Sequence, residues 1–90
     1  MHKRKIPLPD LHGEAQEIIA RLKIEGRPAA AEMLEGRIAG GATGTEILMG
    51  LSAGLVRTAF QEKGISWRLR KDMLVLSWRI DNVVKRYGDT

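Results

Sequence analysis

The stretch from Gly40 to Leu51, GGATGTEILMGL, sets four glycines and two threonines in front of an apolar run. Backbone amides in such a loop can cradle phosphate. A Walker loop, however, closes on Gly-Lys-Ser/Thr, and a dinucleotide loop needs Gly-x-Gly-x-x-Gly after a strand. Neither the lysine nor a strand pattern is present. Thr43-Gly44-Thr45-Glu46 instead fits a capping box: the Thr43 hydroxyl accepts from the amide of Glu46, and the Glu46 carboxylate reaches back to the amide of Thr43. Ala42 and Ile47 stand where a hydrophobic staple would. A helix start also attracts anions, but Glu46 competes for the same amides.

The two histidines offer little. His2 lies in the basic start, and His12 lies in the first turn of a helix near Asp10 and Glu14. No His-x3-His pair and no cysteine occur, so a metal site, a thiolate nucleophile and a disulfide framework are not expected. Glu32 and Glu35 share a helix but are expected to be solvated. Without a converging acid, base and nucleophile, the expectation is a non-enzymatic protein with no cofactor and no metal.

A short echo carries the best binding chemistry: Ser66-Trp67-Arg68-Leu69, then Ser77-Trp78-Arg79-Ile80. Its offset is close to three helical turns. Trp67 and Trp78 therefore share a line, expected to run beside the Leu69/Met73/Leu76/Ile80 seam. Lys71 and Lys85 share that line, and Arg68, Arg79 and Arg86 share the next. Indoles bordered by cations can stack on bases while the cations meet phosphates. They can equally anchor a protein interface, where Trp and Arg are enriched. In a domain with few aromatics the plainer expectation is that the indoles widen the core and the arginine stems cover its edge.

Prolines and glycines delimit the elements that must position these residues. Pro7 and Pro9 hold residues 1–9 extended. Asp10 can cap a first helix over 10–25, whose Leu11, Ala15, Ile18, Ile19 and Leu22 are spaced helically. Gly26 ends it. Pro28 suits the first position of a second helix over 28–39, with Ala30, Met33, Leu34 and Ile38 inward. A third spans 44–63, with Ile47, Leu48, Leu51, Leu55 and Ala59 inward. Within it Gly50 and Gly54 lie on one side and suggest close approach of another backbone or a local bend. Gly64 ends the third helix and Ser66 can cap the fourth, over 67–87, where Leu69, Met73, Leu76, Ile80, Val83 and Tyr87 follow a four, three, four, three, four spacing. The fold class is all-α: a compact bundle of four helices, residues 10–90, preceded by a basic N-terminal arm, residues 1–9.

Ninety residues suffice for one domain with one core, and a 43% hydrophobic composition argues against wholesale disorder. The apolar-rich stretch Ile47 to Val56 is half of the ~20 residues that span a bilayer. The basic start is followed by Ile-Pro-Leu-Pro-Asp rather than an apolar region, so neither a signal peptide nor a membrane association is expected. The absence of cysteine fits a reducing, cytoplasmic setting. The net charge of +4 is uneven: residues 1–9 contribute +3, residues 10–46 contribute −3 and residues 47–90 contribute +4. Such asymmetry hints at a charged partner.

Two resemblances bear on function. Gly50 to Phe60, GLSAGLVRTAF, resembles the turn and recognition helix of bacterial helix-turn-helix regulators, which would make Arg57 a base contact. Read continuously, Ile47 to Ala59 gives one amphipathic helix instead. The stretches Gly13 to Glu35 and Thr43 to Leu51 are similar to small all-helical bacterial proteins of the toxin–immunity kind. That similarity implies a protein that blocks a toxin by covering its surface, with Glu14, Glu17, Glu25, Glu32 and Glu35 as the acidic face. The expectation is thus a module that binds another protein, an immunity or antitoxin-like role being one version. The alternative is a small basic nucleic-acid-binding protein using Trp67, Arg68, Lys71, Trp78, Arg79, Lys85, Arg86 and Arg57. A homodimer through exposed indoles is a further expectation to test.

Overall fold

The computed structural model describes residues 11–40 and 44–87. These form four helices, α1 (Leu11–Ile24), α2 (Pro28–Gly40), α3 (Gly44–Gln61) and α4 (Trp67–Tyr87), with no strand among the described residues. The expected element order holds, and boundaries shift by two residues at most. The basic arm, Asp10, Ala42 and Thr43 lie outside the described residues, as does the Tyr87 side chain.

Local chemistry explains where the chain turns. Gly26 adopts φ +81°, the left-handed conformation that costs glycine least. Its amide donates to the Lys23 carbonyl at 3.1 Å, and the Arg27 amide donates to the Leu22 carbonyl at 2.8 Å. This pair of bonds is a Schellman motif closing α1. Ser66 caps α4, its hydroxyl accepting from the Leu69 amide at 3.2 Å. No basic residue stands in the last turn of α3. Arg70 from α4 supplies the charge instead, donating to the Ala59 carbonyl and, at 3.0 Å, to the Glu62 carbonyl.

Each helix packs on two neighbours, giving a ring in the order α1, α2, α3, α4 and back to α1. Ion pairs fix the directions. Glu14 with Arg79 and Arg21 with Asp72 show that α1 and α4 run antiparallel. Leu22, Leu34, Leu51, Leu55, Leu69, Met73, Leu76 and Ile80 fill the centre and are fully buried. Ala31 joins the core although the α2 spacing does not single it out, while Met33, Ile38, Leu48 and Val83 pack at its margin.

The glycines of α3 behave differently from one another. A Cβ at Gly54 would lie 2.9 Å from Leu34 Cδ2 and 3.4 Å from Met33 Sδ. Side chains of α2, rather than another backbone, therefore occupy the space that glycine leaves. At Gly50 the nearest atom would be Arg37 Cδ at 3.8 Å, an ordinary contact.

Candidate functional site

The helix α3 is continuous through Gly50–Phe60, so no turn separates a recognition helix there. Its inner stripe is accompanied by a second apolar line on the opposite side: Met49, Ala53, Val56 and Phe60, again spaced four, three, four. Met49 is 56% exposed and Phe60 66%. Sequence reasoning missed this line because it assigned α3 a single inward face. The spacing was legible all along.

On α4 the tryptophans point outward. Trp67 is 73% and Trp78 67% exposed. The expectation that they widen the core, or run beside its seam, is corrected. At about 100° per residue both indoles lie roughly half a turn from Leu69, Met73, Leu76 and Ile80. Lys71 and Lys85 do share their line and are exposed.

Hydrogen bonds set the register between α3 and α4. The buried Ser52 Oγ meets Ser77 Oγ at 2.7 Å and Asp81 Oδ1 at 2.7 Å. An ionised carboxylate only accepts, so Ser52 donates to Asp81 and Ser77 donates to Ser52. With Arg70 on the Ala59 carbonyl, this register places Phe60 level with the first turn of α4 and Val56 level with Leu74. By helical angle each apolar line lies roughly half a turn from its own helix's core residues, so both face outward from the α3–α4 pair. A shallow groove is lined by Met49, Ser52, Ala53, Val56 and Arg57 of α3 and by Asp81 of α4.

The cations divide into two groups. Arg57, Arg68, Lys71, Lys85 and Arg86 are exposed and form no ion pair among the described residues. Arg79 does not belong with them. Its Nη1 donates to Glu14 Oε1 at 2.5 Å, which ties it to α1. The same bond removes Glu14 from the acidic set.

The acidic residues do not form one free face either. Glu35 accepts from Lys23 Nζ at 3.2 Å. Glu25 reaches across to the start of α4, accepting from the Ser66 amide at 2.7 Å and from the Ser66 hydroxyl at 2.8 Å. That backbone bond, then the hydroxyl and the nearby Arg21 and Arg27, hold the Glu25 carboxyl below the ordinary glutamate range. Glu17 and Glu32 are exposed. Glu46 stands in the first turn of α3, as a capping role requires. His12 lies 3.5 Å from Gln16 Nε2 on the exposed side of α1. Among the described residues no group of three or more His, Asp or Glu side chains could hold a metal ion, and no helix is long and apolar enough to cross a membrane.

Comparison of the chain with protein-family models, with curated proteins and with solved structures gives no match.

Proposed function

We propose that the protein is a non-enzymatic, cytoplasmic interaction module that binds another protein through the outer side of the α3–α4 pair. One observation carries this reading: Met49, Val56, Phe60, Trp67 and Trp78 are exposed on the outward faces of two packed helices. Apolar surface gathered in this way, rimmed by polar groups, is characteristic of interaction sites. Tryptophan is the residue type that most often dominates binding energy at such sites. The mechanism is occlusion of the partner's surface, and it needs no cofactor. An immunity or antitoxin-like protein is one specific form, with the α3–α4 side rather than the acidic residues as its contact surface.

A second reading has its own support. The exposed cations Arg57, Arg68, Lys71, Lys85 and Arg86, in no ion pair among the described residues, accompany the two indoles, an arrangement that suits single-stranded nucleic acid. Nuclease-treated capture from the native cells tests both readings. The wild-type chain should retain a protein that Trp67→Ala with Trp78→Ala releases. Recovery of the same proteins by both chains, or loss of binding on nuclease treatment alone, would refute the protein reading.

A further inference from the structure

We infer that the occupant of this side is an amphipathic helix of a partner protein, carrying acidic residues along its flanks and seated lengthwise over the α3–α4 groove. This rests on the protein-binding reading above. The shape comes first. Met49 to Phe60 extends about 16 Å along α3, and Trp67 to Lys85 about 27 Å along α4. Helices packed side by side have axes 8–10 Å apart, and a helix is about 10 Å across. A third helix of three to five turns therefore fits over the pair. Ala53 and the buried Ser52 keep the surface low on either side of Met49 and Val56, with Asp81 of α4 at its edge.

Charge then selects among occupants. Arg57 stands on the α3 side, and Lys71 and Lys85 stand on the α4 side, all exposed and none in an ion pair among the described residues. The acid lining the groove is Asp81, which already accepts from Ser52. An apolar surface interleaved with Lys71 and Lys85 on α4 and edged by Arg57 on α3 is complementary to a helix whose apolar stripe is bordered by acidic residues. A second copy of this chain, seated through the same surface, would bring one cation-bearing surface against another. The protein's first nine residues carry Lys3, Arg4 and Lys5, so they match this surface no better. A nucleic-acid strand would find the cations, the indoles and Phe60, but the aliphatic Met49 and Val56 between them present no ring for a base to stack on.

The test uses two labelled synthetic peptides of about eighteen residues. Each has leucines at helical spacing. One carries glutamate at the flanking positions, and the other carries lysine at the same positions. Anisotropy titrations at low salt should show saturable binding of the glutamate peptide, at least about tenfold tighter than the lysine peptide. Arg57→Glu with Lys71→Glu and Lys85→Glu should abolish or reverse that preference. These side chains are exposed and in no ion pair among the described residues, so the variant keeps its fold, which circular dichroism checks. Equal binding of both peptides, lost with Trp67→Ala and Trp78→Ala, would overturn the acidic partner while leaving the docking surface standing. Binding of neither peptide would also overturn it, and the capture experiment would then decide the broader reading on its own. A labelled single-stranded oligonucleotide that binds tighter than the glutamate peptide would overturn both.

Discussion

Alanine at two glycines of the same helix should shift stability in opposite directions. In a helix interior glycine is less favourable than alanine by about 1 kcal/mol. At Gly50 the new methyl would sit 3.8 Å from Arg37 Cδ and 4.0 Å from Arg37 Nη1, ordinary contact with a half-exposed side chain. Nothing opposes the propensity gain, so Gly50→Ala should stabilise by about 0.5–1 kcal/mol. At Gly54 the methyl would meet Leu34 Cδ2 at 2.9 Å. Leu34 is fully buried and cannot swing into solvent. Overpacking of this kind costs about 1–3 kcal/mol, which offsets or exceeds the gain. Gly54→Ala should therefore destabilise by about 1 kcal/mol net, with α2 displaced from α3. Thermal and urea unfolding followed by circular dichroism measure both. In a domain of this size 1 kcal/mol moves Tm by about 4–8 °C. Equal stabilisation by the two substitutions would refute the argument that buried side chains of α2 fill the space beside Gly54.

Other perturbations follow from the same contacts. Ser52→Ala removes the donor to Asp81 and leaves the Ser77 hydroxyl to the Ser52 carbonyl 3.3 Å away, and should cost about 1 kcal/mol in urea unfolding. Asp81→Ala should cost less, because Ser52 can turn to the Ser77 carbonyl 3.4 Å away. A larger loss from Asp81→Ala would contradict the assigned bond directions. The Glu25 carboxyl titrates below its unfolded value, so its contribution is complete above about pH 4.3 and is lost as pH falls through the folded value. Glu25→Gln should flatten the acid limb of the stability curve, and an unchanged limb would remove Glu25 from the linkage. Trp67 and Trp78 are the chain's two tryptophans, so their fluorescence should resemble free indole and be readily quenched by acrylamide. A blue-shifted, protected emission in the dilute protein would mean that this side is already covered.

Much of the fold is legible in the sequence because its signals are local. Gly26, Pro28 and Ser66 punctuate the chain by known backbone chemistry, and the α4 spacing predicts Leu69, Met73, Leu76 and Ile80 as core. The outward indoles are legible too, since helical angle alone separates them from that seam. The expectation that they lie beside it gives too much weight to the scarcity of aromatics and too little to geometry. The Met49/Ala53/Val56/Phe60 line is hidden by α3 being apolar on two sides, where a single best face is chosen easily and wrongly. Cross-helix partners are a different matter. Arg79 with Glu14, Arg21 with Asp72 and Glu25 with Ser66 join residues far apart in sequence. Only the register of the packed helices brings them together, and it sorts the cations into those that tie helices together and those that stay exposed.

The most direct measurement is photo-crosslinking in the native cells, with a photoreactive side chain replacing Ala53 in the groove or, as a control, the exposed Ala20 on α1. A discrete protein adduct from position 53, absent from position 20 and lost when Trp67 and Trp78 become alanine, is the predicted result. Nucleic-acid adducts from position 53, or the same adducts from both positions, would contradict a protein-docking role for the α3–α4 side.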